Sequence, residues 1–438
     1  MISQLNGAPH VVERIFSSLN FESFNTLSEL CTQLEVPTIW RERWQRYTRV
    51  SPTWKMISIQ MKYTSPQLFT EMEKGEVSAY QEAYQHVQKQ IQRISQLNFR
   101  GRIHHSLNIK IENFNLLFKV NERNLYLGCP DGNIRIFNRW TRELVGVSRI
   151  QSNRSSCLIN LQLDEKVLVA KLSCGMIKVF DLASMQEIQT FNDEIPEYLG
   201  YCPDTPVCLE NGVLVNPVLS YVNPRGFLFI HKWNPTMHQF DLISETVAVN
   251  FRGSILDLDY LYVYLTEKHL VVDFSVGKRM IQVFKIGSWE LMRERVSPNL
   301  AGIKNECHDG VVVVHYTHKI GKVNKRLLGA WHIDEDVIHP LAELTKKAKD
   351  QLTLAVRNHP HQIIINRKTN AMRVYAVESR QRTEEFSLKV QSLWCPLPPN
   401  SSLIYYDGLQ MYYTKNGLVD SEYPKDLHCV DCFACCAD

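Results

Sequence analysis

From about residue 106 onward the chain alternates short apolar runs with turn-forming residues, and the runs carry the two-residue period of strands rather than the period of helices. In NLYLGCPDGNIRIFNRW, Leu125 to Leu127 form one strand and Pro130-Asp131-Gly132 supplies a hairpin turn. Ile134 and Ile136 then alternate with polar neighbours before Arg139 to Thr141 turn the chain again. An aromatic residue stands at or near the end of such a run at Phe137, Phe180, Trp233, Phe284, Trp331, Tyr375 and Tyr413, with separations of 38 to 53 residues. That spacing is the length of a four-stranded blade, so the pattern predicts an all-β propeller of about seven blades over 106–418.

The segment KVLVAKLSCGMIKVFDLASMQEIQTF repeats the scheme, with Gly175 in the place of Gly132 and Phe180-Asp181 at the strand end. These two segments resemble WD-repeat sequence, in which an aromatic followed by Asp commonly closes the third strand of a blade. Later repeats are more degenerate. KHLVVDFSVGKRMIQVFKIGSWELMRER keeps two strands, Phe284 and a Gly287-Ser288 turn. GVVVVHYTHKIGKVNKRLLGAWHID and TLAVRNHPHQIIINRKTNAMRVYAVES read as blades with long connections between second and third strands. Asn192 to Asp241, interrupted by Pro203, Pro206, Pro217, Pro224 and Pro235, reads either as a blade or as an insertion between blades. Asp407-Gly408 turns the last hairpin, and a strand from about Ser106 to Ile111 completes the final blade.

The N-terminal region has helical spacing. Val11, Val12, Ile15, Phe16 and Leu19 share a stripe, and Asn20 and Ser23 restart a second helix carrying Phe24, Leu27, Leu30 and Cys31. Val11 to Leu19, Leu30-Cys31 and Ile39-Trp40-Arg41-Glu42-Arg43 together resemble an F-box. An F-box followed by a propeller resembles the F-box/WD-repeat substrate receptors of SCF-type cullin-RING ubiquitin ligases. That resemblance implies docking on the ligase adaptor through Val12, Ile15, Phe16, Leu19, Leu30, Cys31 and Trp40, and through it association with cullin and RING subunits. It also implies a protein substrate, phosphorylated or unmodified, at one rim of the propeller. Arg154, Lys171, Lys278, Arg279, Lys319 and Arg357 are the candidate contacts, since cationic side chains match phosphate oxygens. Without the family, residues 9–46 read as a small helical cap and the basic residues as surface charges.

Val77, Tyr80, Tyr84, Val87, Ile91 and Ile94 form a 3-4-3-4-3 stripe on a further helix, which either packs on the N-terminal segment or self-associates. Trp54-Lys55 and Asn98-Phe99-Arg100-Gly101 resemble the linkers by which F-box/WD-repeat receptors enter their propellers. The expected organisation is an F-box-like helical domain at 1–54, a helical linker at 55–105, the propeller at 106–418 and a flexible Cys-rich tail at 419–438.

Charge is nearly balanced, 49 Lys and Arg against 46 Asp and Glu, which argues against a nucleic-acid partner. No run of 18 apolar residues and no cleavable leader pattern occur, so the expectation is a cytoplasmic or nuclear protein without a stable membrane span. The scattered cysteines fit free thiols in a reducing compartment. No GxxxxGK[ST], HExxH or GxSxG pattern is present, so the chain reads as non-catalytic, with no cofactor expected. His104-His105, and His359 with His361, read as turn histidines rather than metal ligands. Cys429, Cys432, Cys435 and Cys436 leave three readings of the tail: a flexible end, a lipidation site or a metal site. The functional expectation is a substrate receptor of an SCF-type ligase, and the alternative a WD-repeat-like scaffold outside any ligase.

Overall fold

The computed structural model describes residues 37–50, 52–95, 103–111, 117–129, 132–150, 157–191, 205–220, 225–250, 258–266, 268–276, 278–296, 300–303, 311–320, 323–344, 351–355, 361–366, 371–376, 391–394, 402–406, 410–414 and 425–431. The chain divides into a helical unit ending at Ile103 and a β unit from His104 to Val430.

In the helical unit, α1 (Pro37–Val50), α2 (Pro52–Thr64) and α3 (Pro66–Glu73) each begin on proline, whose preset φ and missing N–H suit a first helical position. Gly75 stops α3 in a left-handed conformation, φ +87°, and α4 (Val77–Ser95) follows. The core is aromatic. Trp54 stacks on Tyr47 at 5.1 Å, Trp40 meets Tyr84 edge-on at 5.3 Å, and Trp54 lies 4.9 Å from Tyr84. Arg43 is buried among them and donates from Nη1 to the Tyr47 hydroxyl at 3.2 Å. Burial pushes the Tyr84 phenol well up from its ordinary value. Among the described side chains of α4 the buried ones are Ala79, Ala83, Tyr84, Val87 and Gln90, whose small alanines allow close approach to α1. Tyr84 and Val87 of the sequence stripe are therefore spent inside this unit. The expected boundary at 54/55 is corrected: Trp54 of α2 packs with α1 and α4, so residues on both sides of it share one core.

Among the described residues the β unit forms seven four-stranded sheets. β1 (Ile103–Ile111) belongs to the last of them. The first sheet is β2 to β5 (Leu117–Val120, Asn124–Gly128, Asn133–Asn138, Leu144–Arg149) and the second β6 to β9 (Leu158–Leu163, Val167–Leu172, Ile177–Asp181, Glu187–Phe191). The third is β10 to β13 (Cys208–Glu210, Val213–Ser220, Arg225–Asn234, Gln239–Asn250) and the fourth β14 to β17 (Leu258–Leu265, His269–Val276, Lys278–Lys285, Leu291–Val296). The fifth is β18 to β21 (Leu300–Ile303, Val311–Ile320, Val323–His332, Val337–Leu344) and the sixth β22 to β25 (Gln351–Ala355, His361–Asn366, Ala371–Ala376, Gln391–Trp394). The seventh joins β26 (Ser402–Tyr406), β27 (Gln410–Thr414) and β28 (Lys425–Asp431) to β1 at its outer edge. First strands neighbour one another, β2 on β6, β6 on β10, β10 on β14 and β22 on β26, which is the inner ring of a propeller.

The hydrophobic core is divided among the blade interfaces. Leu168, Ala170, Leu172 and Phe180 of the second blade pack on Tyr126, Ile134, Ile136 and Ile150 of the first. Val167, Val169, Ile177 and Val179, on the other face of the same sheet, pack on Leu209, Leu214 and Phe240 of the third. Further cores join the third blade to the fourth and the fourth to the fifth.

In five blades the third-strand aromatic sets an invariant hairpin. Phe137, Phe180, Trp233, Phe284 and Trp331 pair with Leu144, Glu187, Phe240, Leu291 and Ile338, always seven residues on. Arg142, Met185, His238, Trp289 and Asp336, five residues after each aromatic, all have positive φ, at 52–67°. A left-handed non-glycine residue costs roughly 1 kcal/mol; Met185 and Trp289 offset it by packing against the blade cores.

The open reading of Asn192–Asp241 resolves as a blade, and the connections of the fifth blade and the end of the propeller are corrected. Asn192–Asp241 contains three strands of a true blade and part of the fourth. Pro217 is tolerated in β11 because β10 ends its pairing at Cys208–Val215, and the Pro217 carbonyl on that side accepts from Thr205 Oγ1 at 2.7 Å instead. The fifth blade has no long second-to-third connection, since β19 and β20 pair to their tips at Ile320 and Val323. Tyr413 lies on the second strand of its blade, and the third strand, β28, falls within the expected tail, so the propeller runs beyond 418.

Closure of the ring also uses a buried polar clasp. Arg139 Nε donates to Gln410 Oε1 at 3.0 Å, Gln410 Nε2 donates to the Arg139 carbonyl at 3.2 Å, and Arg139 Nη1 donates to the Asn121 carbonyl at 2.9 Å. Replacing Gln410 by Ala removes an acceptor from a buried guanidinium, and a loss of about 1–3 kcal/mol is expected. Urea unfolding of wild type and Gln410→Ala, compared by midpoint, measures it.

Candidate interaction surface

Each antiparallel sheet sends its first-to-second and third-to-fourth turns to one end of the propeller, and its second-to-third turn and the link to the next sheet to the other. At the first end several polar side chains serve the turns themselves. Asn138 Oδ1 accepts from the N–H groups of Trp140 and Thr141 at 2.9 and 3.0 Å, and Asn234 Oδ1 from those of Thr236 and Met237 at 3.0 and 3.2 Å. Asp181, of the Phe180-Asp181 pair, accepts from Ser184 N and Oγ at 2.8 and 2.7 Å, bonds that hold its carboxyl below the usual range. Asn121 and Thr266 cap first-to-second turns in the same way.

Of the basic residues anticipated at the substrate rim, Lys171 is the one whose side chain is described. Arg154 and Arg357 lie outside the described residues, as do the side chains of Lys278, Arg279 and Lys319. By position, Lys278 and Arg279 begin β16 and Lys319 lies near the end of β19, both at second-to-third connections, and Arg154 falls between two sheets. Arg357 falls between the first and second strands of its sheet, a connection that belongs to the opposite end. Lys171 is fully buried, a correction with a clear cause. It shares the face of Val167 and Val169 toward the third blade, where its Nζ donates to the Thr205 carbonyl at 2.8 Å and to Asn216 Oδ1 at 2.9 Å. It clasps two blades and offers no ammonium to a rim ligand.

Of the adaptor candidates, Val12, Ile15, Phe16, Leu19, Leu30 and Cys31 lie outside the described residues. Trp40 is 4% exposed within the aromatic core, so its ring serves the helical unit. Of the cysteine cluster, Cys429 lies in β28 and the other three lie outside the described residues. No group of three or more His, Cys, Asp or Glu among the described residues is placed to hold a metal ion, and no described helix is long and apolar enough to cross a membrane.

Between the fourth and fifth blades lies a charged seam. Arg293 Nη1 donates to the Ile333 carbonyl at 2.6 Å and stands 3.2 Å from Asp336 Oδ1. Arg295 pairs with the same carboxylate, lies 5.2 Å over the Trp331 ring, and Trp331 Nε1 donates to Asp336 Oδ1 at 3.1 Å. His269 is buried, with Nε2 at 3.0 Å from Asp334 Oδ1 and no hydrogen-bond partner for Nδ1. Burial lowers its pKa, and the opposing pull of Asp334 does not restore it.

The surface that sequence reading missed is apolar. Leu144, Val145, Leu242, Ile243, Leu291 and Met292, all on fourth strands near the turn that enters them, are 43–56% exposed. The available signal was the adjacent apolar pair, which breaks the alternation of a half-buried strand. In the first and fourth blades the cause is the register shift opposite the aromatic, which turns two consecutive side chains outward. Exposed apolar side chains of this kind suit a protein surface rather than a phosphate group.

No protein-family description and no curated protein sequence matches the chain. Among solved structures, the chain is similar to one in a crystal structure of the mitotic checkpoint complex, with 11% identity, 74% of this chain and 92% of that one covered, and a TM-score of 0.45. The computationally designed Ika8 protein gives 12%, 74%, 99% and 0.42, and the WD40 domain of SCAP from fission yeast gives 8%, 75%, 87% and 0.45. The propeller assignment rests on strand order and not on these likenesses.

A pH dependence follows from His269. Its folded pKa lies below the ordinary 6.5, so as pH falls below 6.5 the unfolded chain takes up the proton first. The stability of the neutral ring is present above pH 6.5 and is lost as pH falls through the folded value. His269→Gln is expected to flatten stability between about pH 7 and 5, measured by denaturant midpoints across that range.

Proposed function

We propose that the chain is a non-catalytic protein-interaction subunit, and more narrowly the substrate-recognition subunit of an SCF-type ubiquitin ligase. In this reading the segment before α1 docks on the ligase adaptor and the propeller holds a protein substrate. The observation that carries the interaction role is the set of exposed apolar side chains on the outer strands, presented by a scaffold whose turns and seams consume many of their polar groups internally. The ligase role is supported by the F-box resemblance of Val11 to Arg43 and by the order of helical unit and propeller. Its chemistry would be proximity: a bound substrate is presented at high effective concentration to a ubiquitin-conjugating enzyme held by the other subunits. Arg154, Lys278, Arg279 and Lys319 are the proposed substrate contacts, since their positions in the chain share one end of the sheets.

One observation favours a second reading, a scaffold working outside any ligase: Trp40 is buried against Tyr84 and unavailable to an adaptor. Co-purification of the full chain with the ligase adaptor separates the two. Retention of wild type and its loss in an Ile15→Asp, Leu19→Asp double variant is the result expected of the ligase subunit. No retention of wild type leaves the scaffold reading, and equal retention of both forms removes the assigned docking face.

A further inference from the structure

The fourth strand of each blade has one hydrogen-bonding edge directed away from its sheet, and such edges invite pairing unless charge or proline discourages it. The outer strands of the second to fifth blades are so protected: Glu187 in β9, Asp241 and Glu245 in β13, Glu294 in β17, and Pro340 and Glu343 in β21. β5, with the sequence LVGVSR, carries neither an acid nor a proline, and its one charge is Arg149 at its last position. Leu144, Val145 and Val147 on it are 53%, 56% and 52% exposed, while Ser148 turns inward and its Oγ donates to the Met185 carbonyl at 3.4 Å. Among the outer strands of the first five blades, β5 is the one that lacks both an acid and a proline.

We propose that this edge pairs with the same edge of a second copy of the chain, antiparallel and centred on Gly146. The residues argue for that occupant because the strand is complementary to itself in this one arrangement. About a twofold axis at Gly146, Val145 lies across from Val147 of the second copy, and the exposed Glu143 lies across from its exposed Arg149. Both relations occur twice. A parallel in-register pairing would instead set Glu143 against Glu143 and Arg149 against Arg149, and a one-residue slip would break the Glu–Arg pairs. A single short strand buries less than the roughly 1,200 Å² of stable interfaces, so the association depends on concentration.

Sedimentation of the full 50.9 kDa chain across roughly 1 to 100 µM is expected to show a shift to twice that mass. Glu143→Arg and Arg149→Glu each place like charges across the axis at two points, and each is expected to weaken the dimer roughly tenfold. The E143R/R149E double variant restores opposite charges and the dimer. An equimolar mixture of the two single variants forms a heterodimer, which a folding defect in either would prevent. A wild type that stays monomeric, single reversals without effect, or a charge swap that fails to recover association overturns the proposal. The adaptor experiment above reads neither result, so the two ideas fail separately.

Discussion

A β-sheet packed between two neighbours has no solvent side, and the arrangement of this molecule follows from how each blade meets that condition. In β7 every residue is buried, with Val167 and Val169 serving one interface and Leu168 and Ala170 the other. At about 1.5–3 kcal/mol for each buried Val or Leu, a blade gains from both neighbours and has little stability alone. The ring must therefore close, and it does so by taking its last outer strand, β1, from the start of the β unit. The same constraint explains why a charge on a second strand cannot reach solvent. Lys171 is carried into the interface by the alternation of its strand, and the Thr205 carbonyl and Asn216 accept from its ammonium there.

Burial of the inner strands leaves function to the ends and the outer strands. One end is stiffened by repeated hairpins whose carboxylate and amide side chains bond to their own turns, as Asn138, Asp181 and Asn234 do. Seams such as Arg139 with Gln410 and Arg295 with Asp336 consume further charge. The exposed large apolar side chains of the described propeller residues lie mostly on the fourth strands, a pattern suited to protein partners.

The helical unit shows the same economy. Trp40, the described member of the candidate adaptor contacts, closes the core with Trp54 and Tyr84. Residues on either side of the anticipated 54/55 boundary fold together because the large rings of three helices share one space.

The amino-acid sequence alone determined the period, the strand-turn-strand scheme of the clearest blades, the third-strand aromatics from Phe137 to Tyr375 and the use of an early strand to close the ring. These are consequences of local alternation and turn chemistry, which each segment carries by itself. Tertiary structure decided what depends on distant partners. It placed positive φ at Arg142, Met185 and Trp289, none of them residues that signal such a turn, because pairing of the flanking strands imposes the backbone there. It recruited β28 from the expected tail because the last hairpin still had an edge to fill. It turned Lys171 inward, buried Trp40 and left Val145 and Val147 in solvent. Whether a side chain finds a neighbour depends on which other part of the chain arrives beside it, and the spacing of residues along one strand or helix does not contain that information.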